Sequence, residues 1–393
     1  MRILVVCQYF YPEQFKVNDI CFELVDQGHK VTVLTGLPNY PSGIILKEYR
    51  WFRKRHEIIK GVEVIRVPLI GRGNNGKISL VFNYLSYAIN ASIKALFLNK
   101  SFDAIMVYQL SPITMALPAL LLKKITGKKI FLYCQDLWPA SISAAGISSE
   151  GLIHRVLLYF SKWVYHSADK IAISSKLFRN YFREVIGIKD EICYLPVYAE
   201  NIFNNIPVKN PDNNIVNLVF AGNIGEMQSV ETIIQAADIL KDQTDIKWHI
   251  VGDGSDRTKC EELALGLSNV LFYGKYPIFE MPKFYQIADA FLVTLKADKI
   301  ISYTLPNKVQ SYLAAAKPII GSIDGETRVV IGEAQCGLCC EAENPQALAQ
   351  LVNKFVKEKD KHILYGKNAR HYYENNFSKE IFFERLNSIL ETI

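Results

Sequence analysis

Leu218-Val219-Phe220-Ala221-Gly222-Asn223-Ile224-Gly225 decides the fold. A short apolar run, rich in residues that suit a buried strand, ends in a glycine turn. Ser229–Leu240 follows with apolar residues at helical spacing. Strand, tight turn and helix in that order open a parallel sheet covered by helices. Glycines let a backbone approach a ligand closely, and a helix N-terminus offers unpaired N–H groups and a positive dipole end, which suit a diphosphate. The plainer alternative is a tight turn only.

Downstream the pattern recurs at His249–Val251, followed by Gly252-Asp253-Gly254, then at Val270–Phe272, Ala290–Leu295 and Pro318–Gly321. The polar loop Tyr303-Thr304-Leu305-Pro306-Asn307 leads into a helix with Lys308 in its first turn. A cation there opposes the helix dipole unless an anion joins it; otherwise it is a solvated surface lysine. Upstream, Ile3–Cys7, Val31–Thr35, Val62–Val67, Ala104–Tyr108, Ile130–Cys134 and Lys170–Ser174 alternate with helical stretches such as Val17–Gln27, closed by Gly28. Between the two series lies the Asn-rich, Pro-containing segment Asn201–Asn217. The expected architecture is α/β: two doubly wound, Rossmann-like parallel-sheet domains at 1–200 and 218–376, a linker at 201–217, and a helix at 377–393 crossing back to the first domain. Ligands of such sheets bind at the carboxyl ends of strands, so the expected site is the cleft between the two.

Composition narrows the function. With 393 residues, 50% of them hydrophobic and 21% charged, the chain is long enough for two cores and too apolar for disorder. Residues 1–200 carry 25 Lys and Arg against 15 Asp and Glu; the remainder carries 20 against 24. The basic half suits an anionic lipid surface or a phosphorylated substrate; no nucleic-acid-binding motif accompanies it. The start, Met1-Arg2-Ile3-Leu4-Val5-Val6, reads as a first strand rather than a signal peptide. Together with eight cysteines in mostly apolar runs, it points to a reducing cytoplasm. The uncharged run Ala104–Leu122 is read as strand, Ser111-Pro112 turn and core helix, not a bilayer span. Cys336-Gly337-Leu338-Cys339-Cys340 lacks a second ligand cluster and reads as a turn into a short strand, so no metal site is expected. Gly71-Arg72-Gly73-Asn74-Asn75-Gly76 reads as a mobile loop.

The ordered set Gly222–Gly225, Val251–Gly254, the Leu305-Pro306 loop and Tyr312-Leu313-Ala314-Ala315-Ala316-Lys317-Pro318 resembles the carboxyl-terminal domain of retaining GT-B glycosyltransferases of family 4. Tyr9-Phe10-Tyr11-Pro12-Glu13, Gly28–Thr35 and Leu37-Pro38-Asn39-Tyr40-Pro41-Ser42-Gly43 are similar to the subgroup that adds N-acetylated 6-deoxy amino sugars, such as N-acetylfucosamine, in O-antigen or capsule assembly. The resemblance covers nearly the whole chain. It implies a UDP-sugar donor in the second domain, facing Asn223, Ile224, Gly225, Gly252, Gly254, Tyr276, Lys299, Tyr303, Thr304, Leu305, Lys308, Ser311 and Glu326. It implies an undecaprenyl-pyrophosphate-linked saccharide acceptor in the first domain, near Asn39 and Tyr40. Asp136, at the carboxyl end of strand Ile130–Cys134, and Glu13, after Pro12, are the candidate catalytic carboxylates by position. Asp136 would bind a sugar hydroxyl or orient the acceptor; the alternative is a loop or helix-capping aspartate. Glu13 is otherwise a solvent-facing loop acid.

The chain departs from that family in three places. The family often carries two Glu eight positions apart, and here those positions hold Tyr303 and Ser311, with Gln310 adjacent. Glu226-Met227-Gln228 stands where basic residues often follow the glycine turn, and Gln14–Asn18 replaces a glycine-rich loop. In such a reaction the leaving diphosphate would be met by N–H groups near Asn223–Gly225, the helix dipole and Lys308, with no metal or other cofactor. Losing one such donor typically costs roughly 3 kcal/mol. Front-face attack would retain the anomeric configuration and let the departing phosphate take the acceptor's proton. Trp51-Phe52-Arg53-Lys54-Arg55-His56, Ile78–Leu98 and Leu152–Val164, with Lys123, Lys124, Lys128 and Lys129 nearby, suit a peripheral seat on the anionic inner leaflet of the plasma membrane; ordinary packing on the sheet is the alternative for most of Ile78–Leu98. Two further functions fit the two-domain pattern: a sugar-nucleotide epimerase, and a non-catalytic membrane-associated scaffold of polysaccharide assembly.

Overall fold

The computed structural model describes residues 1–51, 53–73, 76–143, 151–207 and 215–393. Phe52 of the aromatic-basic stretch, Asn74 and Asn75 of the glycine-rich loop, and 208–214 of the expected linker lie outside the described residues.

The chain divides into two compact units. The first comprises Met1–Ser174, Arg179–Tyr194 and Leu386–Ile393; the second comprises Ser175–Phe178 and Leu195–Arg385. The second unit therefore begins before the expected linker. Leu195, Val197, Tyr198 and Ala199 are buried there, and the Tyr198 ring packs on Phe382 and Phe383 at 5.0 and 5.8 Å.

In the first unit the strands are β1 (Arg2–Val6), β2 (Lys30–Gly36), β3 (His56–Ile59), β4 (Val62–Val67), β5 (Ala104–Gln109), β6 (Ile130–Cys134), β7 (Lys170–Ile173) and β8 (Cys193–Tyr194), in the sheet order β3-β4-β2-β1-β5-β6-β7-β8. Val5 sits in register with Val33 on one side and Met106 on the other. Ile3, Leu4, Val5 and Val6 are all buried, because helices cover both faces of a parallel sheet. Helix Lys16–Asp26 shows why: Val17, Ile20, Cys21 and Leu24, one turn apart, all face the sheet. The sheet is not purely parallel. His56–Ile59 pairs antiparallel with β4 at the edge, a strand that begins at the last residue of the aromatic-basic stretch.

The second unit carries β9 (Val216–Ala221), β10 (Ile246–Val251), β11 (Val270–Gly274), β12 (Ala290–Thr294), β13 (Ile319–Ser322) and β14 (Gly337–Cys340) in the order β11-β10-β9-β12-β13-β14, with the paired strands parallel. Phe220, Trp248 and Ile250 fill its core against helices Val230–Ile239 and Pro345–Lys357. In both units the strand order reverses beside the first strand. The crevice at such a reversal, outside the carboxyl ends of the strands, is where doubly wound sheets take ligands. In the first unit it lies between β1 and β5, in the second between β9 and β12. The last helix, Lys379–Glu391, starts in the second unit, while Leu386–Ile393 belongs to the first, where Asn387 Nδ2 donates to Gln27 Oε1 at 3.1 Å.

Candidate active site

In the second unit, the reversal point is organised by helix Asn307–Ala314. Tyr312 stacks flat on Phe291 of β12 at 4.0 Å. Its hydroxyl accepts from Ala221 N at 3.0 Å and donates to Ala221 O at 3.1 Å. One turn earlier on the same face, Lys308 reaches under the glycine turn. Its Nζ stands 3.8 Å from the centre of the Phe220 ring, is buried, and has no hydrogen-bond partner. Burial pushes this ammonium down to about 7, since a low-dielectric site disfavours the charged form. A buried cation without a partner is costly, so this residue is poised for an anion.

Glycines make room for that lysine and for the neighbouring loops. A Cβ on Gly222 would meet Lys308 Nζ at 2.6 Å; one on Gly252 would meet Gly222 O at 1.7 Å; one on Gly254 would meet Ile224 O at 2.3 Å. At these positions the room is used by the protein itself. Ile224 is fully buried in the core and its N–H donates to Asp253 O at 2.9 Å. The helix also starts later than expected. Glu226–Gln228 forms one isolated turn, Ser229 has φ 44°, and the α-helix begins at Val230. Asn223 caps that turn by donating Nδ2 to Gln228 Oε1 at 2.8 Å.

The remaining donor-side candidates scatter. Ser311 turns inward, donating to Lys308 O and pairing with Tyr285 Oη, each at 2.8 Å, and Gln310 is buried. Tyr303 and Leu305 are buried, and Tyr303 O accepts from Ser175 Oγ. The N–H of Thr304 donates to Ile301 O at 3.0 Å. Lys299 is exposed on the short helix Lys299–Ser302. Tyr276 follows β11, two strands from β9, and packs on Phe284 at 5.0 Å under Lys283. Glu326 is buried; Oε2 accepts from Leu177 N at 3.0 Å, Oε1 is unpaired, and burial raises its carboxyl. A basic residue that sequence reasoning passed over does sit at the reversal point: Lys296, just past β12, pairs with Glu226 at 2.5 Å, and its N–H donates to Met227 O at 3.0 Å.

In the first unit, Glu13 is buried after β1, where its Oε1 accepts from Asn39 N at 2.8 Å and Tyr40 N at 2.6 Å. It is not a solvent-facing loop acid. Burial pushes it up to about 7, against the pull of those amides. Asn39 is committed inward: Nδ2 donates to Leu37 O at 2.9 Å and Oδ1 accepts from Asn83 at 3.2 Å. Tyr40 is exposed and packs on Phe15 and Tyr9 at 5.2 and 6.0 Å. Asp136, after β6, accepts from Ser111 N at 3.0 Å, and burial raises its carboxyl. The Gly71–Gly76 loop brings in Arg72, whose guanidinium packs against Tyr9, Tyr40 and Tyr84. Nothing in the spacing of that loop announced it. Among the described residues, no group of three or more His, Cys, Asp and Glu could hold a metal.

Comparison with known proteins agrees with these two sheets. Residues 201–372 match the model of the glycosyl transferases group 1 family, and residues 16–197 match the glycosyl transferase 4-like domain. The chain belongs to the GT-B glycosyltransferases. A glycosyl transferase named for colanic acid biosynthesis, WcaI of Escherichia coli (strain K12), is 26% identical over 97% of each chain. Among solved structures, sucrose-phosphate synthase of Thermosynechococcus elongatus superposes with a TM-score of 0.79 at 15% identity, over 100% of this chain and 98% of the other. The HepE protein of Anabaena, in complex with UDP and glucose, superposes with a TM-score of 0.72 at 12% identity over 100% of both chains. In this glycosyltransferase the two reversal points therefore present different chemistry: a buried lysine among glycines in the second unit, and carboxylates, tyrosines and an arginine in the first.

Proposed function

We propose that this glycosyltransferase moves an N-acetylated, 6-deoxy amino sugar from a UDP-sugar to a lipid-pyrophosphate-linked saccharide in bacterial surface polysaccharide assembly. Retention and independence of metal are parts of the proposal. The observation that carries it is Lys308 Nζ, buried without a counter-ion beneath Gly222 at the reversal point of the second sheet. A nucleotide diphosphate would supply the missing negative charge, and the held ammonium would stabilise it as it leaves. The HepE complexes with UDP and UDP-glucose support a nucleotide-sugar donor. WcaI, and the similarity to WaaG, which is involved in lipopolysaccharide biosynthesis, support the polysaccharide context. Asp136 would orient the acceptor hydroxyl, with Glu13 holding the Asn39-Tyr40 turn beside it.

The acceptor's lipid calls for a membrane seat, and helix Lys77–Leu96 supports one. Its polar residues face inward: Asn83 accepts from Gln8, Ser86 takes the N–H of Ile70, and Asn90 donates to Pro68 O. Its apolar residues Ile78, Phe82, Leu85, Ile89 and Ile93 face outward at helical spacing and are exposed. Helix Leu152–Ser167 likewise exposes Leu152, Val156, Tyr159 and Trp163. Neither helix contains Asp or Glu, while Lys94, Arg155 and Lys162 lie on them. An apolar face rimmed only by cations fits an in-plane contact with anionic lipid. No described helix is long and apolar enough to cross a membrane.

The test is a donor screen with a synthetic lipid-pyrophosphate saccharide, read by mass spectrometry and by the anomeric coupling of the product, with EDTA present. UDP binding by calorimetry is expected, and loss of it in Lys308→Gln. A rearranged free sugar formed without acceptor would point to an epimerase instead, and absence of UDP binding to a scaffold.

A further inference from the structure

We propose that Arg72 reads an anionic group on the acceptor: the first unit takes an acceptor bearing a phosphoryl or carboxylate oxyanion, which Arg72 grips at its guanidinium edge. The inference rests on the reading of the first unit as the acceptor side. The guanidinium carbon lies 5.0, 5.2 and 5.7 Å from the ring centres of Tyr9, Tyr40 and Tyr84. Tyr9 follows β1, Tyr40 follows β2, and Tyr84 comes from the inner side of helix Lys77–Leu96, so the cage stands at the carboxyl edge of the sheet. Three rings thus lie within cation–π reach of a guanidinium whose planar N–H fork matches a two-oxygen anion. That fork is under-used. One Nη donates to Tyr9 Oη, Nε is buried without an acceptor, and no described carboxylate comes within ion-pair distance. Glu13 is the acid whose charge Arg72 influences, and its Oε1 is held by the amides of Asn39 and Tyr40.

Arg66, by contrast, is a buried arginine paired with Glu57 and donating to Tyr11 O at 2.8 Å. The difference is the carboxylate: Arg66 has one, although its Nε is unpartnered as well, and Arg72 has none among the described residues. A guanidinium held among aromatic rings with no carboxylate of its own is suited to bidentate capture of phosphate or carboxylate.

The test uses Lys308→Gln protein, in which the donor-side cation is removed. Inorganic pyrophosphate and glucuronate are titrated in separately by calorimetry. Binding of at least one is expected, weakened by about tenfold or more when Arg72→Gln is added and partly restored by Arg72→Lys. Pyrophosphate alone would assign the phosphoryl source; glucuronate alone would assign an acidic sugar. Arg72→Gln should stay folded, with at most a small drop in unfolding temperature from the lost ring contacts. Binding of neither probe, binding indifferent to Arg72→Gln, or a lowered unfolding temperature with unchanged binding would overturn the inference. Failure of the donor reading is separate, and shows as unmodified protein that does not bind UDP.

Discussion

Lys308 Nζ lies 2.6 Å from the point where a Cβ on Gly222 would stand. The contact joins the first turn of helix Asn307–Ala314 to the end of β9, so a methyl group at 222 displaces a side chain and leaves the main chain in place. Gly222 also has φ 150°, which L-residues rarely adopt. Gly222→Ala is therefore expected to cost about 1–3 kcal/mol of stability and to weaken UDP binding together with it. Gly252→Ala should be far worse, because its Cβ would run into Gly222 O at 1.7 Å, a backbone atom that cannot swing aside. Chemical denaturation of both variants, with UDP calorimetry on the folded one, checks the order.

Lys308 should also give the ligand-free protein a characteristic alkaline profile. Its folded pKa is lowered from 10.5 to about 7 by burial. Between those values the unfolded chain binds the proton more tightly, so stability should rise as pH climbs from about 7 to 10.5. Below 7 the lysine is charged in both states and its penalty is constant. Lys308→Met is expected to be more stable than the parent at pH 7 and to lose that rise. Saturating UDP should flatten the parent's curve, because a bound diphosphate favours the charged form. An identical slope in parent and Lys308→Met would refute this.

Glu13 should show the opposite dependence in a lower range. Burial raises it from 4.5 to about 7. Its contribution to stability is thus fully present below 4.5 and is lost as pH rises through 7. Glu13→Gln keeps an oxygen for the N–H groups of Asn39 and Tyr40 and removes the buried charge. Thermal melts at pH 5 and pH 8 should show the variant gaining on the parent at pH 8 only.

Tyr312→Phe removes the hydroxyl that serves both N–H and C=O of Ala221. A buried backbone donor left unsatisfied costs about 1–3 kcal/mol. Because Tyr312 and Lys308 share a helix face, UDP affinity should fall as well, which denaturation and calorimetry on the same preparation would show.

The outward face of helix Lys77–Leu96 can be tested without touching either site. Phe82→Asp and Ile89→Asp replace exposed apolar side chains, so melting temperature should stay put while co-sedimentation with anionic vesicles at low salt drops several-fold. Vesicle binding equal to the parent's would remove the membrane seat.

The sheets were legible in the sequence because buried parallel strands are short, continuous apolar runs, as at Ile130–Cys134, and these need no partner to be recognised. His56–Ile59 escaped because an edge strand alternates exposure and carries charge, so it imitates a loop. Within the site, Lys308 was readable from its place in a helix's first turn, where a cation demands a reason. Ile224, Ser311 and Asn39 were assigned by position in a motif, yet their buried contacts are set by residues far along the chain: Asp253, Tyr285 and Asn83. Arg72 stayed hidden for the same cause. Its three rings come from three elements, and only tertiary structure assembles them.

The split ownership of the final helix has a biosynthetic corollary. Residues 386–393 belong to the unit that begins at Met1, whereas 195–385 form the other. During translation the first unit therefore emerges incomplete and waits for the ribosome to deliver its closing segment, with the second unit free to condense in the interval. A nascent chain stalled before Leu386 should lack the Asn387–Gln27 hydrogen bond that ties the last helix to the end of helix Lys16–Asp26.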